Sequence, residues 1–297
     1  MTLRPEALRF ATWNLNVFTS GRTADKAALL RRLDADVIAL QELTRRAADQ
    51  LRAAFPDSTV LEGLSRSEWS GRNANGAGLL IRDGIEVLDT AFPPVDSWTG
   101  IDGPDDAVPP PESLVAAVIR WDGLEVTVAS AHPPNAAGRG EERTWRVARK
   151  LRTYASREQW VSGRDPVLLG MDANAWIDSA CSPFEPPVFD DDPQRAIMEF
   201  FLQQPSRHRL RDAYRVWLED HPDELAAIRA RRPNGPLATT YVRGGNHPVP
   251  DRFDVVMISP SIEVDAIEHG YEDSLATGSD HAFVVCDALV AGLGQRS

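Results

Sequence analysis

Short apolar runs of strand length recur along this chain, and most of them end in a carboxylate, an amide or an imidazole. Leu8 to Trp13 leads into Asn14, Val37 to Leu40 into Gln41-Glu42, Leu124 to Ala131 into His132, and Pro166 to Met171 into Asp172, Ala173 and Asn174. Apolar runs of four to eight residues bounded by polar ones read as buried strands. Polar side chains at the C-terminal ends of such strands are where α/β folds build their sites. The pattern predicts a fold of stacked strands with its chemistry gathered at strand ends.

The segments between these runs complete the reading. Leu29, Leu30 and Leu33 share one face of a helix over Asp25 to Leu33, and a second helix is expected from about Thr44 to Phe55. Gly76 to Ile81 and Ile85 to Leu88 read as paired strands around a turn at Asp83-Gly84. Six prolines and four aspartates between Phe92 and Pro111 exclude a helix there and predict an extended surface loop that can border a cleft. Leu114 to Trp121 and Leu124 to Ala131 form the clearest hairpin, turning at Asp122-Gly123. A helix is expected over roughly Gly140 to Val161, another from Asp192-Pro193 to Gln203, and partly helical, highly charged chain over Arg207 to Arg232. Three more strands close the sequence: Asp254 to Ser259, Ile262 to Ile267 and Ala282 to Leu289. No repeat or linker divides the chain, so residues 1–297 read as a single α/β domain with mixed sheets.

Charge and cysteine usage narrow the function. A formal net charge of -12 disfavours a protein that coats nucleic acid by neutralising its phosphates, although a local basic groove remains compatible. The two cysteines, Cys181 and Cys286, have no CxxC spacing, which argues against a thiolate zinc site or a disulfide framework. Met1 to Phe18 is interrupted by Arg4, Glu6 and Arg9, and no stretch approaches transmembrane length. A reduced, cytoplasmic protein is expected, without membrane insertion or an obligatory protein partner.

Singly, Asn14 and Asn174 can be turn formers, Glu42 a helix-start residue and Asp172 a cap. Their combination says more. Thr12-Trp13-Asn14, Gln41-Glu42, Ala131-His132-Pro133, Gly170-Met171-Asp172-Ala173-Asn174, Arg252-Phe253-Asp254 and Ser279-Asp280-His281 follow one another in the order found in the endonuclease/exonuclease/phosphatase superfamily. The chain resembles that superfamily, which includes deoxyribonuclease I-like enzymes, over almost its whole length. It departs from the pattern at Met171, where the family commonly has glycine before the aspartate.

The resemblance implies a four-layer α/β sandwich, two packed mixed β-sheets flanked by helices. It implies a Mg2+-dependent phosphoesterase, with Mn2+ able to substitute, because a phosphodiester repels hydroxide and a cation neutralises the developing charge. Hard oxygen donors suit Mg2+. Glu42 is the first-choice ligand, and the resemblance implies that Asn14 and Asp280 help hold the ion or its waters. Asp172 would orient or deprotonate the water, and Asn174 would donate to a nonbridging phosphate oxygen. His281 would contact the phosphate as a protonated donor or as a general base, with Asp254 fixing its tautomer and raising its pKa. His132 would touch the phosphate or support the leaving group.

Substrate recognition is less sharply written. Arg139, Arg143, Arg146, Arg149, Lys150 and Arg152 form a basic run, either a phosphate-binding rim or a solvated surface shared with Glu141, Glu142 and Glu158. Arg72, Asn73 and Asn75 lie in a glycine-rich stretch where relatives often contact substrate. Tyr241 lies near the site by the same resemblance, and Trp69, Trp98 and Trp176 are loop aromatics able to stack on a base or to serve as packing anchors. His208, His221 and His269 read as surface or capping residues, whereas His247 precedes Arg252-Phe253-Asp254 closely enough to reach a substrate. A nuclease acting on DNA or RNA is the leading expectation. A phosphatase or phosphodiesterase for a small molecule or lipid headgroup is the alternative.

Overall fold

The computed structural model describes residues 7–16, 22–66, 74–91, 104, 107–135, 140–161, 163–175, 209–244 and 248–290. Strand β1 (Leu8–Asn14) alternates between two apolar neighbourhoods, with Phe10 in one core cluster and Ala11 and Trp13 in another. A strand covered on both faces requires such an alternation. Helix α1 (Thr23–Leu33) carries the chain to β2 (Val37–Leu43), which lies parallel to β1 with Phe10 opposite Val37 and Asn14 opposite Gln41. Helix α2 (Arg45–Ala54) begins at Thr44, whose hydroxyl accepts the Ala47 N–H at 3.1 Å. Strands β3 (Thr59–Glu62), β4 (Gly76–Ile81), β5 (Glu86–Ala91), β6 (Leu114–Trp121) and β7 (Leu124–Ala131) follow. Helix α3 (Gly140–Val161) crosses to β8 (Val167–Asp172), parallel to β7. The rest comprises β9 (Arg211–Asp212), α4 (Ala213–Asp220), α5 (Pro222–Arg231), β10 (Tyr241–Arg243), β11 (Val249–Asp251), β12 (Asp254–Ile258), β13 (Ile262–Gly270), α6 (Tyr271–Ala276) and β14 (Phe283–Val290).

Two six-stranded mixed sheets result, ordered β13-β14-β1-β2-β4-β3 and β5-β6-β7-β8-β12-β9, beside a separate β10-β11 pair. Between the sheets lie Phe10, Ala39 and Leu79 from the first and Val115, Val128, Leu168 and Val256 from the second. On the outer face of the first, Leu29, Leu30 and Leu33 of α1 and Ala48 and Leu51 of α2 pack with Trp13, Ile38 and Leu40. On the outer face of the second, Tyr154 and Val161 of α3 pack with Ala129, Leu169 and Met171. The layers are helix, sheet, sheet, helix, the four-layer sandwich expected. Met171 belongs to that outer core, so the departure from glycine at this position fills the space beneath α3.

One pairing read from the sequence is corrected. Gly76 to Ile81 and the strand after Asp83-Gly84 do not form a hairpin: β4 pairs with β2 on one side and β3 on the other, while β5 pairs with β6 in the opposite sheet. A two-residue type I′ hairpin needs positive φ at both central residues. Asp122 and Gly123 meet that at 47° and 77°, whereas only Gly84, at 82°, does so in the other turn. With both edges of β4 occupied, the chain crosses at Asp83-Gly84 to the second sheet. The segment from Asp192 to Gln203 lies outside the described residues.

The sheets approach each other closely at Gly170. Gly170 of β8 faces β1 and β2, and a Cβ there would lie 2.6 Å from the Thr12 Cβ and 2.7 Å from the Ala39 Cβ. Any side chain forces the layers apart. Gly170→Ala is expected to cost about 1–3 kcal/mol of stability by overpacking, read as a lower urea midpoint at unchanged slope. An unchanged midpoint would contradict this contact.

Candidate active site

Four buried side chains form the floor of a polar cluster at one end of the sandwich: Asn14 ends β1, Asp172 ends β8, Asp254 begins β12, and His281 lies two residues before β14. Asp172 is their common partner. Its Oδ2 accepts from Asn14 Nδ2 at 2.9 Å, and its Oδ1 accepts the Asn174 N–H at 2.7 Å. His132 Nε2 and His281 Nε2 stand 3.5 Å and 3.9 Å from Oδ2. Burial alone would raise the Asp172 pKa, but the His281 charge, the His132 hydrogen bond and charge and the Asn174 N–H outweigh it and hold the group well below the ordinary carboxylate range.

His281 and Asp254 form a second unit. Nδ1 lies 3.0 Å from Asp254 Oδ2 and 3.2 Å from Oδ1. Burial opposes the imidazolium, yet Asp254 first and Asp172 second raise the His281 pKa to about 10. Burial in turn raises Asp254 to about 6 against the pull of His281. Both groups are therefore charged between about pH 6 and pH 10. Tyr241 closes one side, its ring 4.8 Å from the His281 ring and stacked at 4.9 Å on Phe253.

Glu42, His132, Asn174 and Asp280 make a half-buried rim above this floor. Glu42 occupies an irregularity in the β2-β4 register, with φ at 53°, and Asn174 also has positive φ, at 49°. Asp34 at a helix end and Asp122 in the hairpin turn share this left-handed backbone, which polar residues adopt more readily than bulky ones. Burial raises the Glu42 pKa; His132 opposes that shift, and the Asp172 charge adds to it. Asn174 Nδ2 donates to the Pro133 carbonyl at 2.9 Å and lies 3.0 Å from His132 Nε2. Asp280 Oδ1 accepts from Asn16 Nδ2 at 2.6 Å.

Supports for this geometry come from every layer. Ser279 Oγ donates to the Asn14 carbonyl at 2.7 Å, joining the Ser279-Asp280-His281 segment to β1. Gln41 Nε2 reaches Thr12 Oγ1 and Ser130 Oγ, both at 3.1 Å, linking the two sheets directly beneath Glu42. Lys150 donates to the Asn174 carbonyl and Tyr154 to that of Ala173, so α3 holds the turn after Asp172. Arg252 grips Asp212 through two 2.7 Å hydrogen bonds and fixes the start of β12.

Lys26 is a residue the sequence reading passed over. It is buried, donates to the Leu15 and Asn16 carbonyls, and has its pKa lowered to about 8 by burial against the attraction of Glu42 and Asp280. The signal was available: Lys26 shares the helical stripe of Leu29, Leu30 and Leu33, where an apolar residue is expected.

Other expectations fare differently. Arg72, Asn73, Trp69, Trp98, Trp176, His208 and His247 lie outside the described residues. Arg143 is exposed on α3. Arg139 lies outside the described residues, and the described members of the basic run do not form one open face: Lys150 is turned inward, Arg146 pairs with Glu142 at 2.7 Å, Arg149 donates to the Val108 carbonyl, and Arg152 to that of Pro104. His221 caps α4 and stacks on Trp217, as a capping residue would.

The donor set suits a hard cation. Asp172, Asp254 and His281 place one ligand atom each within 4.8 Å of one another, although His281 Nδ1 is already bonded to Asp254. Glu42 stands in a carboxylate-rich rim where burial and the Asp172 charge disfavour its ionised form, a deficit that a divalent ion relieves.

The family model described as Endonuclease/Exonuclease/phosphatase family matches residues 11–281. No curated protein matches the sequence. Among solved structures, D. rerio TDP2 complexed with single strand DNA product is 14% identical, covering 95% of this chain and 98% of that one with a TM-score of 0.62. An AP endonuclease from Archaeoglobus fulgidus is 17% identical, covering 94% and 98%, with a TM-score of 0.61. A mannosyl-6-phosphatase from Bacteroides thetaiotaomicron VPI-5482 is 15% identical, covering 95% and 99%, with a TM-score of 0.57. At these identities the likeness establishes the fold.

The charged pair gives a direct test. His281 has a folded pKa above its ordinary value of 6.5, so its contribution to stability is complete below that value and is lost as pH rises through about 10. Asp254→Asn removes the leading cause and is expected to lower the imidazole pKa by roughly 1–3 units, followed by NMR titration of the ring. An unmoved titration would mean that Asp254 does not hold the proton on His281.

Proposed function

This chain belongs to the endonuclease/exonuclease/phosphatase family, and we propose that it hydrolyses phosphate esters by direct attack of water at phosphorus. The observation that carries this reading is the convergence at one floor of Asp172, which accepts from Asn14 and the Asn174 N–H, and His281, whose ring is held by Asp254 and stands 3.9 Å from Asp172. One group receives the water and the other receives the phosphate. Asp172 orients the nucleophilic water through a carboxylate oxygen, its own position fixed by Asn14 and the Asn174 N–H. His281, charged at neutral pH, donates from Nε2 to an oxygen of the phosphate as charge builds there. Asn174 Nδ2 turns from the Pro133 carbonyl to a nonbridging oxygen, and His132 supports the leaving group.

Glu42, Asn14 and Asp280 are the residues that would hold Mg2+ or Mn2+, directly or through water. Bound there, the ion supplies positive charge to the phosphate. Lys26 holds the backbone of Leu15 and Asn16 and adds a cation beside two of these ligands. With Cys286 buried and unpaired, we place the enzyme in the cytoplasm. No helix among the described residues is long and apolar enough to cross a membrane.

Two substrate classes suit this chemistry, and a different observation favours each. A nuclease is supported by the motif set and by relatives named as an AP endonuclease and as TDP2 with single strand DNA product. A phosphatase or phosphodiesterase for a compact ester is supported by α3, whose described cations are largely engaged within the protein, and by a relative named as a mannosyl-6-phosphatase.

Hydrolysis of plasmid DNA, single-stranded DNA, RNA and small mono- and diesters with Mg2+ or Mn2+ decides between them. Glu42→Ala and His281→Ala are expected to lower kcat/KM about a hundredfold or more on whichever ester is cut, with folding checked by circular dichroism. Retained activity in both variants would remove the site from the reaction, and a stable phosphoryl-enzyme would refute direct attack.

A further inference from the structure

Helix α1 carries a lysine where its packing asks for an apolar side chain. Lys26 stands on the stripe of Leu29, Leu30 and Leu33 and is only 3% exposed. It also lies near the N-terminal end of α1, where the aligned peptide dipoles disfavour a cation. A buried ammonium needs partners to offset its lost hydration. It finds them outside the helix, in the carbonyls of Leu15 and, at 3.1 Å, of Asn16.

Those carbonyls belong to the turn in which β1 ends, and that turn presents two of the residues assigned to the ion. Asn14 Oδ1 accepts the Asn16 N–H at 3.0 Å, with Asn16 at a φ of 40°. The Leu15 N–H donates to the Gln41 carbonyl at 3.1 Å, and Ser279 Oγ to the Asn14 carbonyl at 2.7 Å. Lys26 ties down the two carbonyls that follow. From the same turn Asn16 Nδ2 donates to Asp280 Oδ1 at 2.6 Å. A shift of Asn16 therefore moves Asp280 and loosens Asn14 together.

The charge of Lys26 acts in the opposite sense to its position. Burial lowers its pKa to about 8 and the Glu42 and Asp280 charges oppose that shift, so the ammonium sits within their field and repels a divalent ion. Position outweighs charge here, because Mg2+ demands near-ideal octahedral geometry from its ligands, whereas a charge beside a half-open rim is screened by water.

We infer that Lys26 is a positioning residue for the metal site: through the Leu15 and Asn16 carbonyls it fixes the turn from which Asn14 and Asp280 are presented to a divalent ion. This rests on the reading above that Glu42, Asn14 and Asp280 hold the ion, and it adds a residue that acts on the ion through others.

Calorimetric titration of Mn2+ into wild type, Glu42→Ala, Lys26→Met, Asn16→Ala and the Lys26→Met/Asn16→Ala double variant tests this without turnover. Glu42→Ala should abolish binding. Lys26→Met should weaken it about tenfold or more, as loss of groups that orient metal ligands does. The unfolding midpoint of ion-free Lys26→Met should hold or rise, since methionine continues the apolar stripe and a buried charge is gone. Asn16→Ala, which cuts the link to Asp280 and leaves Lys26 in place, should weaken binding to a similar extent. The double variant should lose little more than either single one, because the two residues act in series. Unchanged or tighter binding in Lys26→Met, additive losses in the double variant, or unchanged binding in Asn16→Ala would each overturn the positioning role while leaving the ion at Glu42. The last of these applies even if Lys26→Met fails to fold. No Mn2+ binding by wild type, or wild-type affinity in Glu42→Ala, would overturn the metal reading itself and this inference with it.

Discussion

A carboxylate buried at the junction of two sheets governs this architecture. Removing Asp172 from water is tolerable only if its oxygens are met by donors or positive charge, since breaking one side of a buried charged arrangement costs about 3–5 kcal/mol. The groups that meet it come from separate strands: Asn14 from the first sheet, the Asn174 N–H from the turn after β8, His132 from the end of β7 and His281 from the entry to β14. Asn14 and the strand that His281 leads into belong to one sheet, Asp172 and the strand that ends before His132 to the other. Satisfying the charge therefore fixes how the sheets meet, and the packed sheets keep the charge dry.

Much of the remaining polar structure positions this junction. Gln41 does not face the rim but bridges Thr12 and Ser130 across the sheet gap, leaving the adjacent Glu42 to turn outward through its left-handed backbone. Gly170 permits the close approach on which that bridge depends. Arg252 and Asp212 form a bidentate pair at the entry to β12, so Asp254 begins its strand from a fixed point. The motif residues thus divide into those that face the polar cluster and those that hold the facing residues still, and adjacent letters of one motif fall on opposite sides of that division.

Sequence carries the first kind of information better than the second. The apolar runs that become β1, β2, β7 and β8 are buried along almost their whole length, so each is legible from its own residues, as is the polar residue that ends it. The Asp122-Gly123 turn was legible because its backbone requirement is local. Asp83-Gly84 was not, because whether β4 turns back or crosses over depends on β3, a four-residue strand too short and too exposed to announce itself. Lys26 escaped notice since a lone cation on an apolar stripe gains meaning only from the carbonyls it meets. The basic run of α3 misled in the opposite direction: charge density is visible in the letters, but the carbonyls and carboxylates that absorb it are not.

That helix also joins chemistry to recognition. Lys150 and Tyr154 reach from α3 to the carbonyls of Asn174 and Ala173, holding the turn that aims Asp172. Trp145 and Arg149, about one turn earlier, line a pocket beside His132. One rigid element therefore supports both the turn that carries Asp172 and one wall of the pocket beside His132. Trp145 and Lys150 lie on a single helix with a rise of about 1.5 Å per residue, so the pocket wall and the turn after Asp172 keep a fixed spacing. Positioning of this kind contributes to rate only when the reacting atoms are held at near-attack distance, which makes the spacing along α3 as consequential as the identity of the residues it carries.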